Sequence, residues 1–162
     1  MYILYGPLTL LTLTVKKGVQ IFALNKKKEF VLLEENIRMP EGNLYGIGGL
    51  KKDWTDKHAK FIEILEKEGY KLRYSGSFVA DFHQILKYGG IFSYPALKGH
   101  EKGKLRIVFE ANPLGFIAEE AGGKISDGKA STLDIIPGKL DQRTPVYVGS
   151  AGIVRRMEEM MK

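Results

Sequence analysis

Cysteine is absent from all 162 residues, which excludes disulfides, thiolate metal sites and a cysteine nucleophile. Long apolar runs are absent too: no stretch approaches the roughly 18 apolar residues that a membrane-spanning helix needs. The opening Met1-Tyr2-Ile3-Leu4-Tyr5 has neither the basic flank nor the small-residue cleavage site of a secretory signal. There is no Walker loop, no GxGxxG and no zinc-ligand spacing. No internal repeat, low-complexity tract or aromatic-basic stripe suited to nucleic acid occurs. These absences leave a cytoplasmic protein without membrane or nucleic-acid partners as the expectation.

What is present fits one domain over residues 1–162, with 44% hydrophobic residues and a sizeable core. The net charge is +6. Its lysines are dispersed, as at Lys16-Lys17, Lys26-Lys27-Lys28, Lys51-Lys52 and Lys124, and most have acidic neighbours. That pattern reads as a solvated surface with some capacity to steer a small polyanion.

Alternation of leucine and threonine from Leu8 to Val15 predicts a half-buried strand. Val19 to Leu24 returns, Phe30 to Leu33 follows, and the opening third reads as a β-meander. A short strand is expected at Leu44 to Ile47. The first clear helix starts near Asp53 or Thr55 and runs to Glu68, with Phe61, Ile62 and Leu65 as its apolar stripe and Gly69 ending it. Tyr70 to Tyr74 looks extended. Ser77 is placed to cap a second helix to about Tyr88, with Val79, Phe82 and Leu86 inward. Ile91 to Tyr94 reads as a strand. Leu105 to Phe109 is ambiguous between strand and helix, Asn112-Pro113 interrupts, and a helical stripe continues through Phe116, Ile117 and Ala121. Pro145 to Val148 is a late strand, and Ser150 is placed to cap a last helix. Strands alternating with helices after a meander predict an α/β fold, a mixed β-sheet layered with helices. A strand pattern beginning almost at Met1 also raises the expectation that the sequence is part of something larger.

The run from Tyr94 to Gly123 combines a phenol, the cations Lys104 and Arg106, and the carboxylate Glu110. Glu110 has two readings: a magnesium ligand, because magnesium takes hard carboxylate oxygens, or an i,i+4 ion pair with Arg106. Lys104 and Arg106 either hold a phosphate or are exposed cations. Arg73-Tyr74 precedes Ser75-Gly76-Ser77, a small-residue turn at a helix start whose N–H groups can face an anion. His83 lies near Asp81, a pairing able to do acid–base work, although a structural histidine is the simpler reading. His58 and His100 read as surface residues.

Nine runs then fall in one order: Leu4-Tyr5-Gly6-Pro7, Glu35 to Pro40, Arg73 to Ser77, Val79 to His83, Gly89 to Phe92, Gly103 to Arg106, Glu110 to Pro113, Glu120 to Gly123, and Leu133 to Pro137 continuing to Gln142-Arg143. In these runs the chain resembles the C-terminal half of the class I fructose-1,6-bisphosphatases, within the inositol-phosphatase-like sugar phosphatases. The resemblance implies a magnesium-dependent phosphatase acting on fructose 1,6-bisphosphate in gluconeogenesis; sedoheptulose 1,7-bisphosphate is the sibling specificity. A sugar-phosphate-binding or subunit-pairing fragment without catalysis is the non-enzyme alternative. It implies that Tyr74, Tyr94 and Lys104 hold the sugar's distal phosphate, that Arg73 reaches that phosphate in a neighbouring subunit of a homo-oligomer, that backbone at Gly76 and Ser77 touches the sugar, and that Glu110 binds magnesium. Two departures bear on sugar specificity. Gly48-Gly49-Leu50-Lys51 stands where Asn-Glu-Gly with a nearby tyrosine is usual, and Phe78 stands where methionine is common. The Asp-Pro-Leu-Asp-Gly-Ser metal motif of the N-terminal half does not occur in this sequence. The expected partner for catalysis is therefore a complementary N-terminal half, and the chain alone is expected to be inactive.

Overall fold

The computed structural model describes all 162 residues. Four layers stack in the order sheet, helices, sheet, helices. The first layer is an antiparallel meander of β1 (Tyr2–Leu4), β2 (Leu10–Thr14), β3 (Val19–Leu24) and β4 (Phe30–Glu34) in sequential order. The expected strand from Leu8 to Val15 is thus trimmed at both ends. The meander's inner face places Tyr2, Val19 and Ile21 on α2 (Phe78–Tyr88) and α3 (Asn112–Glu120). Those helices rest on a five-stranded mixed sheet.

That sheet runs β6 (Lys71–Leu72), β5 (Leu44–Ile47), β7 (Gly90–Tyr94), β11 (Val146–Ser150), β9 (Gly123–Ser126). β5 pairs in parallel with β6 and β7, and β11 runs antiparallel to β7 and β9. Successive residues of a strand face opposite sides of a sheet. Phe92, Val146 and Val148 accordingly join Phe82, Leu86, Leu114 and Ile117 in one core. Ile91 and Tyr147 point the other way, where Phe61, Ile62 and Leu65 of α1 (Asp56–Lys67) meet Ile153, Val154 and Met157 of α4 (Ala151–Met161). A short ladder of β8 (Leu105–Arg106) with β10 (Arg143–Thr144) flanks these layers. The mixed α/β layering follows the period of each segment, as the sequence predicts.

Several local expectations are corrected. The extended segment at Tyr70–Tyr74 pairs only over Lys71–Leu72. Leu105–Phe109 is neither a full strand nor an α-helix: two residues pair with β10, and Ile107–Ala111 then forms a π-helical turn running into α3. Pro113 does not interrupt α3 but is its second residue, directly after the π-helical turn. The helical stripe expected through Ala121 ends at Glu120, and Gly123 opens β9. Thr55 does cap α1, accepting the His58 N–H at 3.3 Å. Ser77 and Ser150 occupy N-cap positions, yet neither hydroxyl caps its helix. The Ser150 hydroxyl instead donates to the Pro40 carbonyl (2.7 Å) and accepts the Gly90 N–H (2.8 Å), tying β11 to β7 and to the preceding loop.

His58 is the largest correction. It is fully buried, with Nδ1 3.2 Å from the Tyr147 hydroxyl and Trp54 packed edge-on at 5.4 Å. Burial alone lowers its pKa from the ordinary 6.5 to about 4. His100 is exposed as expected.

Candidate functional site

A cavity of about 200 Å³ opens where the end of β7, the start of α2, β8 and the π-helical turn converge. Its lining comprises Tyr74, Gly76, Phe78, Phe92, Tyr94, Lys104, Leu105, Arg106 and Glu110. The period of β7 puts Phe92 and Tyr94 on one face. Phe78, first residue of α2, stacks on Phe92 with ring centroids 4.8 Å apart and planes 26° apart. Two apolar rings therefore form one wall.

The polar groups are a mixed set. Lys104 Nζ lies 5.3 Å from the centre of the Tyr94 ring, a cation–π distance, and has no carboxylate partner within ion-pairing range. The Tyr74 hydroxyl is pushed above its ordinary pKa, first by partial burial and then by Tyr94 and Asp81, with Lys104 opposing. Tyr74 therefore stays protonated at neutral pH and can donate a hydrogen bond. The loop leading into α2 is held by Asp81: its Oδ1 accepts the Ser75 N–H at 2.7 Å. Gly76 adopts φ 83° with open space around it, a conformation that glycine takes without strain.

Glu110 sits within the π-helical turn. Its Oε2 accepts the Arg106 N–H at 2.7 Å, and its Oε1 pairs with Arg106 Nη2 at 3.1 Å. The Arg106 guanidinium also lies 5.1 Å from the Phe109 ring centre. The ion-pair reading of Glu110 is therefore realised in this structure. Nowhere in the chain do three His, Cys, Asp or Glu side chains gather in a way that could hold a metal ion. Glu110 offers hard oxygens suited to one ligand position of a magnesium site, and no more of such a site is built by this chain.

Five of the residues expected at a site, Tyr74, Gly76, Tyr94, Lys104 and Glu110, meet at this one cavity. Arg73 does not: it is exposed and its Nη1 donates to the Leu72 carbonyl at 2.8 Å. Ser77 lines a neighbouring cleft of about 230 Å³ that shares Phe78 and Glu110. Asp81 and His83 do not form an acid–base pair, because Asp81 anchors Ser75 while His83 Nδ1 bonds the Tyr2 hydroxyl at 2.8 Å. Phe92 and Leu105 were not singled out from sequence. The alternation of β7 carries the signal for Phe92, since it lies two residues before Tyr94.

The family model described as the fructose-1-6-bisphosphatase C-terminal domain matches residues 39–162. This chain belongs to the fructose-1,6-bisphosphatase family. Its similarity to the class 1 fructose-1,6-bisphosphatase of Methanocorpusculum labreanum is 59% identity over 157 residues, 97% of this chain and 49% of that protein. The class 1 enzyme of Methanospirillum hungatei is 51% identical over 162 residues, covering 99% of this chain and 52% of the relative. That of Geobacter sulfurreducens is 48% identical over 163 residues, with 99% and 52% covered. The chain thus spans about half the length of the curated relatives it matches. The family match begins at Met39, after the meander, and takes in the five-stranded sheet, its helices and the whole cavity. No helix of this family member is long and apolar enough to cross a membrane.

Proposed function

We propose that this chain forms the sugar-phosphate-binding part of a magnesium-dependent fructose-1,6-bisphosphatase, which hydrolyses the C1 phosphate to leave fructose 6-phosphate and serves gluconeogenesis in the cytoplasm. The observation that carries this reading is the convergence of Tyr74, Tyr94 and Lys104 with the Arg106–Glu110 pair on one cavity of hexose scale.

In this reading Lys104 meets the distal phosphate as a point charge, and the Tyr74 and Tyr94 phenols donate to its oxygens. The stacked Phe78 and Phe92 rings cover the carbon face of the sugar and keep water from it. Backbone at Gly76 and Ser77 lies against the ring hydroxyls. Arg106 is placed to meet the second phosphate, and Glu110 would hold one ligand position of magnesium. Magnesium, when bound, supplies neutralisation of charge developing on the phosphoryl oxygens. Arg73, facing away from its own cavity, is free to reach the distal phosphate of a neighbouring subunit in a homo-oligomer.

Calorimetric titration of the chain with fructose 6-phosphate tests the binding part. One charge-assisted contact contributes about 1.5–3 kcal/mol and each phenol less, so the dissociation constant is expected on the order of millimolar and to weaken with salt. Lys104→Ala is expected to abolish binding. Lys28→Ala, on an exposed turn between β3 and β4, is expected to leave it unchanged. Equal losses from both would mean diffuse charge attraction and no site. For catalysis, the chain is expected to release phosphate from fructose 1,6-bisphosphate only when mixed with the remaining half of a relative such as the Methanocorpusculum labreanum enzyme. Turnover by the purified chain alone would refute that part.

A further inference from the structure

We infer that Asp81 is a positioning residue for this cavity: its buried carboxylate holds the Tyr74–Gly76 segment by that segment's one hydrogen bond to the packed body of the protein, and so sets where the Tyr74 phenol and the Gly76 backbone stand. The inference rests on the sugar-phosphate reading of the cavity and deepens it, with a readout independent of that reading.

The segment is fastened on either side and left free between. Before it, the Arg73 N–H donates to the Tyr45 carbonyl at 2.8 Å, tying the chain to β5. After it, the Ser77 carbonyl accepts the Asp81 N–H at 2.9 Å in the first turn of α2. Tyr74, Ser75 and Gly76 make no backbone–backbone hydrogen bond of their own. All three are exposed, and nothing lies within 4 Å of where a side chain on Gly76 would begin. Such a stretch opens at little cost unless something holds its middle. The Ser75 hydroxyl bonds only within the turn, accepting the Ser77 N–H at 3.2 Å. The Ser75 N–H, donating to Asp81 Oδ1 at 2.7 Å, is what ties the middle down.

Asp81 is the fixed end of that bond. It is 2% exposed, on a helix whose Phe82, Ile85 and Leu86 are in the core. Its place in the first turn sets its charge against the positive end of α2, which offsets part of the cost of burial. Its Oδ2 is nonetheless enclosed without a donor, and an unpaired buried oxygen costs stability. The bond that Asp81 does make goes to the loop and not to its own helix. Its charge also reaches the phenol: burial first, then Tyr94, then Asp81 raise the Tyr74 pKa, with Lys104 opposing. The chain divides at this tie. Arg73 bonds the Leu72 carbonyl outside the cavity, and Tyr74 lines the cavity. Releasing Ser75 would let Tyr74 and Gly76 leave together, and the entropy of ordering them again would weaken any ligand contact.

Amide exchange and ligand titration on the 162-residue chain decide this. In the free protein, the Ser75 amide is expected to exchange with solvent about tenfold or more slowly than the unbonded Gly76 amide, corrected for intrinsic rates, although both residues are exposed. Asp81→Asn, which keeps an oxygen for Ser75 and removes the charge, is expected to keep that protection and to let the Tyr74 phenol titrate at lower pH. Asp81→Ala is expected to lose the protection. In titrations with fructose 6-phosphate, Asp81→Ala is expected to weaken binding about three- to tenfold, the scale of a lost uncharged hydrogen bond, and Asp81→Asn to restore most of it. Adding Asp81→Ala to Tyr74→Phe is expected to cost less than the product of the two separate losses, since linked partners are not additive. Leu65→Ala, a core truncation on the far side of the sheet, lowers stability without touching the segment and is expected to bind normally. A Ser75 amide as labile as that of Gly76 in the unaltered chain would overturn the inference, and this outcome is read even should Asp81→Ala fold poorly. A folded Asp81→Ala that binds like the unaltered chain, or an equal weakening by Leu65→Ala, would overturn it as well. Should the unaltered chain bind no sugar phosphate, the functional reading fails, and the amide comparison still judges Asp81.

Discussion

Lowering the pH is expected to destabilise this chain chiefly through one buried histidine. His58 is fully enclosed, its Nε2 has no hydrogen-bond partner, and its folded-state pKa is about 4 against an ordinary 6.5. Above the ordinary value both folded and unfolded chains hold a neutral imidazole, and the full stability is present. Between 6.5 and about 4 the unfolded chain takes up a proton that the folded chain refuses, so stability falls as pH falls. At ~1.4 kcal/mol for each pH unit, the full gap corresponds to roughly 3 kcal/mol, of which roughly 2 kcal/mol is lost between about pH 7 and about pH 5. For a chain of this size that corresponds to a fall of about 4–8 °C in Tm. His83, whose pKa is also lowered, by burial first and then by Lys87, adds a contribution of the same sign. Urea denaturation at several pH values reads the effect directly. His58→Gln keeps an acceptor for Tyr147 and removes the titration. The variant is less stable overall at neutral pH, but its stability is expected to change much less on acidification. The carboxylates contribute alike to both proteins, so the difference between the two profiles isolates His58. Parallel profiles, differing in pH dependence by less than about 0.5 kcal/mol, would refute the reasoning, because a buried histidine of this kind must bias folding against its protonated form.

Two further outcomes are expected. Glu110→Gln keeps the acceptor for the Arg106 N–H and loses only a partly exposed ion pair, so it should cost less than about 1 kcal/mol in thermal unfolding. In the enzyme reconstituted from two halves it should raise the magnesium requirement and cut turnover more than about tenfold, as loss of a ligand would; a collapse in Tm with an unaltered magnesium response would make Glu110 structural. Leu32→Lys should suppress self-association measured by light scattering, because Ile3, Leu11, Phe22 and Leu32 lie in register across the sheet and all five residues of β4 are exposed; unchanged association would place the contact elsewhere.

How much of this was legible in the sequence depended on what kind of interaction fixed each residue. β3 and β5 match the predicted segments residue for residue, and α1 ends one residue short of its expected limit, because their patterns reflect which face is buried. The pieces of the cavity were legible as residue types in short runs, and their convergence follows from a topology that sets β7 beside β5 and β8 ahead of the π-helical turn. What stayed hidden was settled by tertiary partners. Ser150 bonds Pro40 and Gly90, distant in sequence, so its local fitness as a cap was irrelevant. Leu105–Phe109 gave no clean period because its backbone leaves a two-residue ladder for a wide turn.

His58 and Gly48 show the same limit from opposite sides. His58, Phe61, Ile62 and Leu65 follow the i, i+3, i+4, i+7 spacing of a buried helical stripe. The period therefore placed the imidazole inside, and only its polarity, flanked by Asp56, Lys57 and Lys60, argued for the surface. Burial prevailed because Tyr147 and Trp54 offer a hydrogen bond and an aromatic edge that water need not supply. At Gly48 the sequence records only the loss of a side chain, which reads as a missing donor. The structure shows the vacated volume filled by the Tyr94 ring, and that ring aligned with Lys104.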